Sequence, residues 1–275
     1  CIRDSLRDGR LGIRTWRIVG ESLARLFLTG GLRMEGPGGS FSEVDLPGRQ
    51  GRIAFTALAL ERQPIAHDRL AGIVWDDTPP TQWKSALAAV VSKIRSLITR
   101  TGLDGPALVV STGGTYAFVP PPETWVDLEN AYRRLDRAEG ALRHGDHEVA
   151  VGDATVASAI LRRPLLAGED GLWLDEVRRR QADALYRTFI ALGTAWNGIG
   201  DHQLASVMAE SAVALDPYRE IGHRLVMDAE RARGDSGAAL RAFRRCERIL
   251  AEEMGVPPSA ETLQLADLIR SHSSD

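Results

Sequence analysis

The chain has 275 residues, of which 44% are hydrophobic and 26% are charged, and its formal net charge is −3. This length accommodates one large domain or two ordinary ones, and the weak acidity argues against a protein coated in positive charge, so any nucleic-acid surface must be local. Two cysteines argue against a disulfide framework and favour a reducing cytoplasm, and no apolar run approaches the ~20 residues that span a membrane.

Residues 25–120 combine strand-like and helix-like segments, after an extension over residues 1–24 that we expect to be disordered. Two short strands joined at a Gly-Gly turn are predicted by "ARLFLTGGLRMEG". Three helices are predicted by "GRQGRIAFTALALERQ", "AHDRLAGIVWDDTPP" and "TQWKSALAAVVSKIRSLITR", the last covering Thr81–Arg100. A β-hairpin around two glycines is predicted by "ALVVSTGGTYAFVP".

The second half, residues 125–271, has a helical pattern throughout, and "PPPETW" at 120–125 predicts a hinge before it. Helices are predicted near 127–143, 146–162, 172–198, 202–215, 219–233, 236–254 and 259–270. Gly-Asp pairs at positions 200 and 234 recur after 34 residues, which is the period of tetratricopeptide hairpins. The sequence therefore predicts an all-α, tetratricopeptide-like domain here.

The third helix of the first half has two different faces. A helical wheel places an apolar stripe on one side: Leu87, Val90, Val91, Ile94, Leu97 and Ile98. The opposite side is small and polar: Thr81, Gln82, Ser85, Ala88, Ala89, Ser92 and Ser96. Basic residues border it, and the helix contains no acidic residue. This pattern suits the DNA major groove, whose rims carry phosphates, although a solvated face that lacks acids is the simpler alternative.

Three helices followed by a β-hairpin are typical of a winged helix-turn-helix domain, an α+β unit whose third helix enters the major groove. The candidate phosphate contacts on that helix are Lys84, Lys93, Arg95 and Arg100. Its candidates for base edges are Gln82, Ser85, Ser92 and Ser96. The hairpin would add contacts to the DNA backbone through Thr112, Thr115 and Tyr116.

Several segments in this order resemble actinobacterial-type antibiotic regulatory proteins. They include "FLTGGLRM", "DRLAGIVWDDTPP", "SALAAVVSKIRSLI", "RRPLLAG" and, most specifically, "YREIGHRLVMDAERARGD". The resemblance covers residues 25–270 and implies a winged helix joined to a bacterial transcriptional activator domain. It further implies an activator that binds repeats in double-stranded promoter DNA and recruits RNA polymerase, with a homodimer on tandem sites.

By position, the resemblance makes Thr81–Arg100 the recognition helix and Val109–Phe118 the wing. It also adds Arg49 and Arg52 as DNA-binding candidates, because they resemble the basic pair at the start of the first helix. The polymerase-facing loop corresponds to Asp76, Asp77 and Thr78. The sequence departs from the family pattern at Ser85, Ala88, Val90 and Ala117, where base-reading or basic side chains are usual, so the target site is less well defined than the fold.

Sequence motifs of catalysis are missing: "GxxxxGK[ST]", "GxSxG" and "HExxH" do not occur. We therefore expect no enzyme activity, no cofactor and no metal. The arginines of "RRRQADALYRTF", Arg178–Arg180, are expected to form a solvated face. Two alternative functions remain open: a protein-interaction scaffold whose winged helix no longer binds DNA, and a regulatory segment of a longer protein, since the chain begins with Cys1.

Overall fold

A computed structural model describes residues 24–61 and 63–272, so the expected disorder of the N-terminal extension concerns residues outside the described part, except Ala24. The first strands are β1 (Arg25–Phe27), β2 (Arg33–Gly36) and β3 (Gly39–Ser42). They pair antiparallel in this order. The predicted pair of strands is thus confirmed, and β3 is an addition that its glycine-rich sequence did not indicate.

The three predicted helices of the first half are present. They are α1 (Gly48–Leu60), α2 (His67–Trp75), which follows the short strand β4 (Ile65–Ala66), and α3 (Trp83–Arg100). α3 begins two residues later than predicted, because Thr81 and Gln82 form a turn after two prolines. α2 is followed directly by Asp76, whose φ of 50° is left-handed. The reversal between α2 and α3 therefore starts at an aspartate.

The predicted hairpin is also present. After a short helix α4 (Gly105–Leu108), the strands β5 (Val109–Thr112) and β6 (Thr115–Phe118) pair antiparallel. Gly113 and Gly114 have φ of 59° and 78°, as a two-residue turn of type I′ requires. β4 pairs with β6, so the wing is a three-stranded sheet of order β4-β6-β5.

The predicted hinge at 120–125 is corrected by the structure. Its end forms β7 (Trp125–Val126), which pairs parallel with β1 and extends the first sheet to the order β3-β2-β1-β7. Leu26 and Val126 are partners in this register and both are buried. The first residues of the helical half are therefore held in the sheet of the first half.

All seven predicted helices follow. They are α5 (Asp127–Arg143), α6 (His147–Leu161), α7 (Leu172–Ile199), α8 (His202–Leu215), α9 (Glu220–Ala232), α10 (Ser236–Ile249) and α11 (Ala260–His272). The predicted end of α10 is instead a single π-helical turn, Leu250–Met254. Gly145, Gly200 and Gly234 close three of the helices with φ of 80° to 95°, as glycine at a helix C-terminus does.

One hydrophobic core joins the two halves. It contains Leu26, Phe55 and Ile94 from the first half and continues through Leu128, Leu161 and Leu174 of the helical half. Two further clusters lie deeper among the later helices. None of the helices in the described part of the chain is long and apolar enough to cross a membrane.

Candidate nucleic-acid interface

The structure confirms which side of α3 is buried. Leu87, Val91, Ile94, Leu97 and Ile98 are at most 1% exposed, while Val90 is half-buried at the edge of the stripe. Fully burying such a side chain stabilises a fold by about 1.5–3 kcal/mol, so this stripe fixes the rotation of the helix about its axis.

The opposite side of α3, which we call the crest, is exposed to solvent. It consists of Thr81, Gln82, Ser85, Ala88, Ala89, Ser92 and Ser96. The hydroxyl of Ser85 donates to the carbonyl of Gln82 at 2.9 Å, so this serine also closes the turn that starts the helix. The remaining small side chains leave room for a close approach of another surface.

The four basic residues of α3 have different surroundings. Lys84 and Lys93 are exposed, and the Lys84 ammonium lies 5.6 Å from the ring centroid of Trp83. Arg95 is half-buried, and its Nε donates to the carbonyl of Val109 at 2.8 Å. The guanidinium of Arg95 thus connects α3 to the wing, and its role as a phosphate contact stays a prediction.

Arg100 forms an ion pair with an aspartate. Its Nη1 lies 3.7 Å from Oδ1 of Asp45. The pKa of Asp45 is below its usual value, mainly because the backbone amide of Ser42 donates to its carboxylate, and the Arg100 charge contributes too. The C-terminal border of α3 is therefore less positive than its sequence suggests, and Lys84 and Lys93 remain the strongest phosphate candidates.

The tip of the wing is exposed, but not all of its predicted contacts are. Thr112 is exposed, and the half-exposed Thr115 donates its hydroxyl to the carbonyl of Thr112 at 2.7 Å. Tyr116 is only 7% exposed, and its ring stacks on His67 with centroids 4.2 Å apart. Tyr116 therefore belongs to the packing under the wing, and its contact with DNA stays a prediction.

Arg49 and Arg52 are directed to the helical half. Arg52 Nε donates to Oε1 of Glu169 at 2.7 Å, and Arg49 Nε lies 3.5 Å from Oε2 of the same carboxylate. Glu169 itself is 7% exposed. Both guanidinium groups contact one buried carboxylate, and their expected place in the DNA-facing set stays a prediction. The sequence could not show this pairing, since Glu169 lies more than one hundred residues further along the chain.

The loop between α2 and α3 is exposed at Asp76, Asp77 and Thr78. The two aspartates have φ of 50° and 58°. Asp76 Oδ1 accepts the backbone amide of Leu172 at 3.0 Å, and the hydroxyl of Thr78 donates to the carbonyl of Trp75 at 2.7 Å. This acidic loop is thus attached to the first residue of α7 while its surface stays open.

Comparisons with known proteins agree with this architecture. Residues 126–270 match the family model of the bacterial transcriptional activator domain. The regulatory protein AfsR of Streptomyces coelicolor is 29% identical over 266 residues, which cover 92% of this chain and 23% of AfsR. AfsR of Streptomyces griseus is 26% identical over 80% of this chain and 22% of its own length. The chain therefore spans about a fifth of these two relatives.

The transcriptional regulatory protein MoaR1 of Mycobacterium tuberculosis is 24% identical over 76% of this chain and 68% of its own length. Among solved structures, Mycobacterium tuberculosis EmbR in complex with a low-affinity phosphopeptide superposes with a TM-score of 0.83 at 22% identity. That match covers 92% of this chain and 66% of the EmbR chain, and it shows that the two share a fold.

Proposed function

Since the chain belongs to the bacterial transcriptional activator domain family, within the antibiotic-regulatory type, we propose that it is a DNA-binding transcriptional activator without catalytic activity. In this proposal it acts in the cytoplasm, binds promoter repeats as a homodimer and recruits RNA polymerase. The regulatory names of AfsR and MoaR1 support the general role.

The observation that carries the proposal is the orientation of α3. Its apolar stripe is buried, so the crest of hydroxyl and small side chains faces solvent, and no carboxylate of the helix repels a phosphate. A helix of this width fits the major groove, where Gln82 and the serines would meet base edges. Lys84 and Lys93, which are exposed on the same helix, would meet phosphates.

The exposed loop at Asp76–Thr78 supports the polymerase part of the proposal. Its two carboxylates follow α2 directly and are open to solvent, so they can approach a basic protein surface. Asp76 also accepts a hydrogen bond from the first residue of α7. A protein bound at this loop would therefore be linked to the helical half through that hydrogen bond.

Selection of bound fragments from genomic DNA near physiological salt, followed by sequencing, tests the proposal. We expect enrichment of short repeated motifs, and loss of retention for the variant Lys84→Ala/Lys93→Ala. Arg244→Ala is the matched control, because it removes a positive charge from the exposed side of α10. Failure of the wild-type chain to retain any fragment at micromolar concentration would favour the protein-interaction scaffold.

A further inference from the structure

The segment between α6 and α7, residues 162–171, reaches back to the first half of the molecule, and we call it the docking loop. The backbone amide of Gly30 donates to the carbonyl of Pro164 at 2.8 Å, and Thr29 forms a β-bridge with Leu165. Leu165 and Leu166 are buried in the core that both halves share. The loop is therefore part of the junction through its buried residues, although its other side is exposed to solvent.

The docking loop is held in one shape by α7. The guanidinium of Arg178 donates to the carbonyls of Leu165, Leu166 and Glu169 at 3.0, 2.8 and 2.9 Å. Leu166 has a φ of 45°, which a branched side chain adopts only when its surroundings enforce it. Arg178 is thus a structural residue rather than part of the solvated face that its sequence indicated. The loop presents Glu169 from a fixed position.

Glu169 connects this loop to two helices of the winged domain. Its carboxylate receives Arg49 and Arg52 of α1. Arg49 also donates to the carbonyl of Val74, in the last turn of α2, at 2.8 Å and to the carbonyl of Asp170 at 2.7 Å. Removing the charge of Glu169 would leave both guanidinium groups without their anionic partner, so it should loosen the whole cluster.

The same junction holds the loop that precedes α3. Asp76, the residue after α2, accepts the amide of Leu172 at the start of α7. Gly171, at φ 146°, lies so close that an added Cβ would be 3.5 Å from Asp76 Oδ1 and 3.6 Å from Arg49 Nη2. The cluster around Glu169 and the end of α2 are therefore in direct contact.

We propose that Glu169 is a positioning residue for DNA recognition: through Arg49, Arg52 and Asp76 it fixes the α2–α3 loop, and thereby the setting of α3, relative to the helical domain. This inference rests on the proposed DNA-binding function. It makes the helical domain a part of the recognition unit, so that whatever the helical domain binds is energetically coupled to the crest of α3.

The two possible roles of Arg49 and Arg52, as phosphate contacts or as partners of Glu169, predict opposite effects of neutralising Glu169. If Arg49 and Arg52 were phosphate anchors, Glu169 would compete with DNA for them, and its neutralisation would strengthen binding and steepen the salt dependence. If Glu169 is a positioning residue, Glu169→Gln weakens binding about tenfold, within the usual range for coupled sites. The slope of log K against log salt then stays unchanged, because no phosphate contact is lost.

The experiment measures the affinity of the full chain for its selected fragment at several salt concentrations. Glu176→Gln is the matched control, because it removes a nearby carboxylate, in the first turns of α7, that pairs with Arg179 and Arg180 of its own helix. We expect this control to bind DNA like the wild type. Tighter binding by Glu169→Gln, or a steeper slope, would overturn the proposal.

A second readout does not need DNA. Amide hydrogen exchange in the free protein should be about tenfold faster at Asp76, Asp77, Thr78 and Leu172 in Glu169→Gln than in wild type, since local opening depends on these contacts. Asp76→Ala, an exposed change, should accelerate the same amides if Glu169→Gln proves poorly folded. Unchanged exchange in a folded Glu169→Gln would overturn the positioning role. A wild-type chain that binds no DNA would defeat the proposed function, while exchange would still decide the role of Glu169.

Discussion

Asp127 accepts two hydrogen bonds from Thr29, one from its backbone amide at 3.0 Å and one from its hydroxyl at 2.9 Å. Both residues are buried, and they lie 98 positions apart in the sequence. The other oxygen of the carboxylate accepts the amide of Leu28, also at 3.0 Å. The first residue of α5 therefore terminates β1 and fixes the helical half on the sheet.

Replacement of this carboxylate should be strongly destabilising. Asp127→Ala leaves the buried amides of Leu28 and Thr29 without an acceptor, so we expect a loss of about 2–3 kcal/mol in the free energy of unfolding. Urea denaturation followed by circular dichroism measures it. Asp136→Asn, at an exposed position on the same helix, should change stability by less than about 0.5 kcal/mol. Equal stabilities of the two variants would contradict this prediction.

Lys93→Ala should weaken binding to all DNA sequences alike. The exposed ammonium would neutralise one phosphate, so its loss should lower the slope of log K against log salt by about 1. Fluorescence anisotropy with one selected fragment and one scrambled fragment measures both quantities. Arg244→Ala should keep the wild-type slope. A wild-type slope of log K against log salt in Lys93→Ala would show that Lys93 does not contact a phosphate.

Gly105→Ala should disturb the support of α3. A Cβ at this position would lie 2.0 Å from the carbonyl oxygen of Arg95, so α4 would have to move away from α3. Overpacking of this kind costs about 1–3 kcal/mol, measurable as a lower thermal midpoint. Gly152→Ala, within α6 and with open space around the added Cβ, should instead stabilise by about 0.5–1 kcal/mol. A neutral Gly105→Ala would argue against this close contact.

His223 should make stability depend on pH. Its ring is buried, and this burial lowers the pKa of the imidazole below its usual value of 6.5, although the carbonyl of Pro217 opposes the shift. The unfolded chain then binds more protons than the folded one below about pH 6.5, so the free energy of unfolding falls as pH decreases from there towards the lower pKa.

Urea titrations between about pH 5 and pH 8 measure this dependence, because the charge of histidine changes within that window. His223→Gln should flatten the fall in stability below about pH 6.5 relative to wild type. His144→Gln, at an exposed position, is the control variant that also removes one histidine. Identical profiles for wild type and His223→Gln would contradict the prediction.

The orientation of α3 and the wing turn could be predicted from the sequence because local patterns determine them. A 3.6-residue apolar period decides which side of a helix is buried, and two consecutive glycines permit the turn at Gly113. Tyr116 was predictable in principle as well: it alternates with Phe118 along β6, and this period of two indicates a shared buried face.

Other features depend on distant parts of the chain. The partners of three basic side chains are brought near only by the tertiary fold. Arg49 and Arg52 contact the carboxylate of Glu169, and Arg95 contacts the carbonyl of Val109. A basic residue in a sequence signals a charge but not its partner. For this reason the elements were predicted better than the contacts of individual cations.

The parallel pairing of β7 with β1 has a practical consequence for dissecting the molecule. A fragment that stops at residue 120 would keep α3 but would deprive β1 of one neighbouring strand and of the carboxylate of Asp127. The backbone N–H and C=O groups of β1 that β7 had paired would then be exposed and could pair with a strand of another copy. A cut placed after α7 would retain the strand, the aspartate and the docking loop together. The proposed DNA binding of a shortened chain should therefore be tested on that fragment.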